Sequence, residues 1–236
     1  MLTDALSLFI RPDEPVELRF LGVERPGRVH AGWMTLADAP AVASKVAAMA
    51  DRSEGVYFTP QRLRPEVLSR SPRGHFGNVV RVKGGETKPR LTHDDDVSER
   101  RYLLIDIDPK RPPNVCATNA EKAAAEDLCV RVQAQLCVTF RQPLIVDSGN
   151  GFHLYYRLPT PLTVAGPKVA NDSLAVLLRL LAERYDTPQA AIDCRVHNPA
   201  RIMKLAGSWS RKGPNTPERP HRQSRILEVP SDWHPA

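Results

Sequence analysis

The segment Tyr102-Leu103-Leu104-Ile105-Asp106-Ile107-Asp108 constrains the fold more than any other stretch of the 236-residue chain. Side chains alternate faces along a strand, so Leu103, Ile105 and Ile107 go to a core while Asp106 and Asp108 share the other face. Two carboxylates about 6 Å apart at an effective dielectric of about 20 repel by roughly 2–3 kcal/mol, which a bound cation or basic neighbours would offset. The plain alternative is a solvated strand end that caps the next loop, with Pro109 as the stop.

Around this strand the hydrophobic periodicity predicts an order of strand, helix, strand, strand, helix, strand from residue 101 onward. Thr118-Asn119-Ala120-Glu121 is a capping box that opens a helix with Ala124, Leu128, Val132 and Leu136 on one stripe. Leu144 to Asp147 and Phe152 to Leu158 read as strands joined by Ser148-Gly149-Asn150-Gly151. A second helix follows, with Ala170, Leu174, Leu177, Leu178, Leu181 and Tyr185 facing inward, and Ala190 to Asp193 is a short strand. The order fits a split βαβ arrangement like that of RNA-recognition and polymerase palm folds. Upstream, Val16 to Phe20 alternates at period two, Asp38 to Ala50 carries Val42, Val46 and Met49 at helical spacing behind an Asp38 cap, and Gly55 to Thr59 is a strand stopped by Pro60. Arg70 to Asp96, rich in Gly, Pro and charge, reads as a long loop. A boundary near residue 95 separates residues 1–95 as an N-terminal α/β lobe from 96–236 as an RRM-like lobe with a basic, Pro-rich C-terminal segment.

Composition narrows the class. With 33 basic and 27 acidic residues the net charge is +6, which favours a polyanionic partner. No run approaches a membrane span and the start Met1-Leu2-Thr3-Asp4 lacks a basic leader, so a cytoplasmic protein without a membrane partner is expected. Four cysteines form no CxxC pair and read as small hydrophobes. A zinc site would rest on Cys194 and His197 alone.

Two further segments carry chemistry. In Asp147-Ser148-Gly149-Asn150-Gly151-Phe152-His153 the glycines allow positive φ and close backbone approach, so the turn can offer N–H groups to a phosphate. It is not a dinucleotide fingerprint, because Leu154 stands in the place of the third glycine and a strand follows. Asp193 ends an apolar strand and can complete a three-carboxylate site for hard cations. Behind it come Arg201 and Lys204, positive charge suited to a triphosphate. A helix capped by Asn198 with Pro199 at its first position would set them on one face, whereas a strand would set them on opposite faces.

Together these segments resemble the three motifs of the archaeo-eukaryotic primase superfamily: the hDhD strand, the SGxGxH hairpin, and an hD strand trailed by N-x-x-R-x-x-K-x-x-G. The match runs from about residue 100 to 213, and Gly55-Val56-Tyr57-Phe58-Thr59 resembles the N-terminal lobe signature of bacterial, plasmid and phage primase-polymerases. The resemblance implies a two-lobed α+β catalytic core and a DNA primase-polymerase that joins NTPs or dNTPs on a single-stranded DNA template or primer-template. It implies that Asp106, Asp108 and Asp193 bind two divalent ions, Mg²⁺ or Mn²⁺, and that Ser148, Gly149, Gly151, His153, Arg201 and Lys204 hold the nucleotide. Further domains or replication proteins would work with the chain. Where relatives carry Asn after the Tyr-x-Thr stretch this chain has Pro60-Gln61, and Gly151 stands where a tighter S-x-H pattern has serine.

Two other readings compete. A rolling-circle nuclease needs an H-x-H pair, which the chain lacks; a non-catalytic RRM-like module would stack single strands on aromatics such as Tyr155. The basic stretch after Ser210 is either a solvated tail or a loop at the mouth of the site, where Arg211 and Lys212 would meet template phosphates.

Overall fold

The computed structural model describes residues 2–82, 85–164 and 167–235, the side chains of 167–172 excepted. Two sheets organise it. In the first, β1 (Pro15–Leu21) lies between β2 (Val29–Thr35) and β3 (Gly55–Phe58), with α1 (Ala39–Asp51) between β2 and β3 in the chain. The connecting stretch holds β4 (Arg62–Leu63), β5 (Gly77–Asn78) and a hairpin of β6 (Val80–Arg81) with β7 (Thr87–Lys88), so the region read as loop carries short pieces of structure.

The second sheet has the order expected of a split βαβ unit. Its strands are β8 (Val97–Pro109), β9 (Leu144–Asp147), β10 (Phe152–Thr163) and β11 (Ala190–Ile192), with α2 (Asn119–Leu136) and α3 (Pro167–Tyr185) in the two crossovers. Spatially they run β11-β8-β10-β9, all antiparallel. Cross-strand partners share a face, so Leu103, Ile105 and Ile107 of β8 sit with Tyr156, Leu154 and Phe152 of β10. The α2 stripe Leu128, Val132 and Leu136 is buried in the same core, as are Leu174, Leu178 and Leu181 of α3. Leu177 and Tyr185 are half-buried against it, and Ala170 falls outside the described side chains. The other face of β8 is also covered in its first half, because Phe9 packs on Tyr102 and Tyr155, and Trp233 stacks on Tyr102 at 5.6 Å.

The chain crosses between the sheets more than once. β4 pairs with β8, while β12 (Met203–Lys204) returns to the first sheet beside β3. β13 (Trp209–Ser210) pairs with β14 (Arg222–Gln223), and β15 (Arg225–Glu228) extends the second sheet at β9. Arg219 is paired with Glu121 at 2.8 Å, and Arg222 donates to the Ala117 carbonyl at 2.6 Å. The Pro-rich basic stretch is therefore built into the fold and is not a solvated tail.

Several polar residues have structural work in place of the roles their spacing predicted. Thr118 and Glu121 do form the capping box. Asp38, by contrast, does not cap α1 with its side chain; its carboxylate accepts from the N–H and hydroxyl of Thr35, closing the turn before the helix. Gln61 is buried and acts as a substitute backbone, donating to the Tyr102 carbonyl at 2.8 Å and accepting from the Arg101 N–H at 2.7 Å. Cys116 and Cys129 are buried, but Cys137 follows α2 and is only half-buried, as is Cys194. His197 Nδ1 donates to the Cys194 carbonyl at 2.9 Å, so this pair is a backbone turn contact and not a thiol site.

Glu14 and Arg101 fasten the N-terminal segment to β8 through two hydrogen bonds of 2.7 and 2.6 Å, with both side chains buried. Burial alone would raise the Glu14 pKa, yet hydrogen bonds from Arg101 and the Arg11 N–H, with the charges of Arg101 and Arg62, hold it below the ordinary 4.5. A depressed carboxyl contributes stability that is complete above its unfolded pKa and is lost as pH falls through the folded value. Glu14→Gln is expected to cost about 3–5 kcal/mol at neutral pH by leaving Arg101 buried without its partner. In urea titrations the variant and parent should converge as the pH drops through the acid limb; a constant difference across that limb would contradict the assignment.

Candidate active site

The three motif segments meet at one cleft of about 330 Å³. β8 supplies Asp106 and Asp108 on its free face, and the register of β10 sets His153 directly across from Asp106. β11 ends beside Asp108, and the Asp193 N–H donates to the Asp106 carbonyl at 2.8 Å, which brings the third carboxyl alongside. Ser148 comes from the hairpin, Lys204 from β12, and Arg201 and Lys212 from neighbouring loops, and all line the cleft. Gly149, Gly151 and Arg211 do not. Residues 198–202 form neither helix nor strand, and this irregular path lets Arg201 and Lys204 reach the same cavity.

Three N–H groups of the hairpin are taken up within it. Ser148 N–H donates to the Gly151 carbonyl at 2.9 Å, Gly149 N–H to the Asp147 carboxylate at 2.8 Å, and Gly151 N–H to Ser148 Oγ at 3.0 Å. Lys122 holds that carboxylate from the other side at 2.6 Å. The glycines are needed for space. A Cβ on Gly151 would stand 2.1 Å from the Ile107 carbonyl oxygen and 2.9 Å from an Asp108 oxygen, so glycine lets the hairpin lie against the acidic strand. Gly149, at φ +93°, lies under Ser210, whose hydroxyl donates to the Ser148 carbonyl at 2.8 Å.

Electrostatically the cleft sets three carboxyl groups among five cations, Arg111, Arg195, Arg201, Lys204 and Lys212. Burial, then the charges of Asp108 and Asp193, raise the Asp106 pKa well above the carboxylate range. His153 is buried, and that burial lowers its pKa to about 4. It is thus neutral at physiological pH, and its 3.4 Å approach to Asp106 is a dipolar contact and not an ion pair. Asp108 pairs with Arg111 at 3.3 Å, and Asp193 with both Arg195 and Arg201 at 2.9 Å. Despite its burial, which opposes this, Asp193 is held below the ordinary value by Arg195 and Arg201.

Lys204 is buried, with Nζ 4.9 Å from the centre of the Tyr57 ring and bonded to the Trp209 carbonyl. Gly55 makes the room, since a Cβ there would fall 2.1 Å from Nζ. Burial, aided by Lys212 and Arg211, lowers the Lys204 pKa to about 7. Arg211 is turned away: it stacks on Trp209 at 5.2 Å and donates to the Asp51 carbonyl at 2.6 Å.

The donor chemistry fits a hard divalent cation, because all three acids offer oxygen and their mutual repulsion is relieved by positive charge. As placed, Asp108 and Asp193 are paired with arginines, Asp106 faces the neutral His153, and among the described residues no three His, Cys, Asp or Glu side chains stand close enough to hold one ion. Sequence reasoning missed Arg111, Arg195, Asn150, Ser210 and the cleft-facing position of Tyr57. Arg111 and Arg195 were findable as cations close behind Asp108 and Asp193. The module reading loses its main support, since Tyr155 is buried under Phe9 and offers no face for a base.

No protein-family model matches the chain and no curated protein matches it in sequence. Its fold is similar to the crystal structure of primase RepB', with 13% identity and a TM-score of 0.49 over 99% of this chain and 58% of that one. The catalytic domain of primase RepB' in complex with initiator DNA matches at 14% identity and a TM-score of 0.49, covering 99% and 87% of the two chains. The polymerase domain from Mycobacterium tuberculosis ligase D in complex with DNA matches at 15% identity and 0.48, covering 94% and 79%. The chain thus spans little more than half of the first of these proteins.

Lys204 generates a pH prediction. With its pKa near 7 the ammonium is only partly protonated in the empty cleft at neutral pH, and a polyphosphate beside it favours the charged form. Inorganic triphosphate, without divalent cation, should bind with proton uptake around and above neutral pH and more weakly as pH rises. Calorimetry in buffers of contrasting ionisation enthalpy measures this. Lys204→Met should abolish the uptake and weaken binding by about 10- to 100-fold, the range for a charged hydrogen bond; buffer-independent heats in the parent would contradict it.

Proposed function

We infer that the chain is a template-dependent nucleotidyltransferase of the primase-polymerase kind, adding nucleotides from NTPs or dNTPs to a primer or initiating nucleotide. The single observation that carries this reading is the convergence, in one cleft, of carboxyl groups from β8 and the end of β11 with His153, Arg201 and Lys204. Asp106, Asp108 and Asp193 would hold two divalent ions, Mg²⁺ or Mn²⁺, which when bound supply charge neutralisation at the attacking and leaving oxygens. Lys204 and Arg201 grip the triphosphate, and a neutral His153 orients a phosphate oxygen by hydrogen bonding while adding no net charge. Ser148 holds the hairpin in register, and Lys212 meets the nucleic acid at the cleft mouth. The bond formed joins the 3′-oxygen to the α-phosphorus; the bond broken releases pyrophosphate, and the hydroxyl proton passes to water.

Extension of a labelled primer on a single-stranded template with Mg²⁺ or Mn²⁺ tests the reading. Asp106→Ala, Asp108→Ala or Asp193→Ala is expected to reduce incorporation by about 100-fold or more, at least roughly 3 kcal/mol of transition-state stabilisation. The melting temperature of Asp106→Ala should hold or rise, since it removes a buried carboxyl pressed by Asp108 and Asp193, whereas Asp193→Ala gives up its pairs with Arg195 and Arg201 and should melt lower. Near-normal extension by a folded Asp106→Ala protein would overturn the assignment. Repeating the assay without primer distinguishes priming from extension.

A further inference from the structure

A larger groove of about 870 Å³ opens off the cleft. The two cavities share Asp108, Arg111, Arg195 and Lys212, whereas His153, Arg201 and Lys204 line the cleft alone. Beyond the shared residues the groove wall includes Pro109, Pro112 and Pro113, whose fixed φ angles limit how far it can move. Arg111 is set in place by backbone, with Nε donating to the Val115 carbonyl at 3.1 Å and Nη1 to the Pro109 carbonyl at 3.3 Å. Arg195 is different: its side chain is 85% exposed and is paired with Asp193. Asp193 also accepts from Arg201, so it carries two guanidinium groups. An oxygen-binding cation that took this carboxylate would displace guanidinium, and the exposed Arg195 is the one with space to turn.

We propose that this groove receives the nucleic-acid strand that supplies the attacking 3′-hydroxyl, held through its phosphodiesters by Arg111, Lys212 and an Arg195 that turns to it from Asp193. The proposal rests on the nucleotidyl-transfer reading above. In-line displacement brings the nucleophile in opposite the leaving pyrophosphate. With the triphosphate against Arg201 and Lys204, which the groove does not share, the groove reaches the acids past Asp108, Arg111 and Arg195 and leaves the triphosphate's place clear. Cation binding and strand binding are then coupled through Arg195. Added cation strengthens strand binding, whereas cations that merely compete for phosphates weaken it.

Fluorescence anisotropy of a short labelled oligothymidylate, titrated at constant ionic strength with and without Mn²⁺, tests the coupling. The parent protein should bind several-fold more tightly with Mn²⁺. Arg195→Gln should lose that gain and lower the slope of log affinity against log salt by about 0.7, one single-strand phosphate contact. An unchanged melting temperature establishes that this exposed substitution leaves the fold intact. A photoreactive group at the 3′ end of the oligonucleotide should cross-link within residues 109–113 or to Arg195. Weakening by Mn²⁺ to the same degree in both proteins, or cross-links outside the groove, would overturn the proposal. Primer extension on the same preparations separates the two claims: extension by a parent protein that fails these tests removes the groove and leaves the transfer reading. Coupled binding with groove cross-links but no extension supports the groove and removes the transfer reading.

Discussion

The repulsion among Asp106, Asp108 and Asp193 sets the terms for the structure around them. Two of these groups share one face of a strand whose other face carries Leu103, Ile105 and Ile107 into the core beneath them, and the third is drawn in by a backbone hydrogen bond to the first. Water alone does not relieve such a cluster when it lies at the floor of a cleft. The fold relieves it with arginines placed close behind the acids in sequence: Arg111 after Asp108, and Arg195 and Arg201 after Asp193. Burial first, and then the unrelieved charges of Asp108 and Asp193, push the Asp106 carboxyl upward. A cleft in this condition is poised to exchange guanidinium groups for another source of positive charge.

That exchange depends on a cavity walled by both sheets. Lys204 and Tyr57 pair across β12 and β3 in the first sheet, while the acids belong to the second. Gly55 and Gly151 make close approaches possible on either side, one beside Lys204 and the other beside Asp108. Glu14 with Arg101, and Gln61 with the β8 backbone, tie the segments together at the covered end of the same strand. The two ends of β8 are thus held by different chemistry: buried paired charge at one, and like charge offset by arginines at the other.

Much of this was legible in the sequence because it depends on local rules. Period-two alternation placed Asp106 and Asp108 on one face, the Thr118–Glu121 box opened α2, and the Ser148–Gly151 turn joined β9 to β10. What was not legible depends on which of several possible partners a polar group finds in three dimensions, whether near or far in sequence. Asp38 looks like a helix cap until Thr35 takes its carboxylate. The hairpin glycines look like a phosphate nest until Asp147 and the Ser148 hydroxyl claim the N–H groups. The basic C-terminal stretch reads as either a solvated tail or a loop at the mouth of the site, and its partners, Glu121 and the Ala117 carbonyl, stand about 100 positions away. Arg211 and Lys212 are adjacent in sequence and similar in charge, but the Trp209 ring draws one aside and leaves the other in the cleft.

The central claim is that Asp106, Asp108 and Asp193 take divalent cations when a nucleotide is bound, Asp108 and Asp193 giving up their arginine partners. Anomalous diffraction from crystals grown with Mn²⁺ and a non-hydrolysable deoxynucleoside triphosphate measures this directly. Manganese peaks beside the three carboxylates, with Arg195 no longer on Asp193, are the predicted result. A bound nucleotide with the Asp193–Arg195 and Asp108–Arg111 pairs intact and manganese elsewhere would contradict the account.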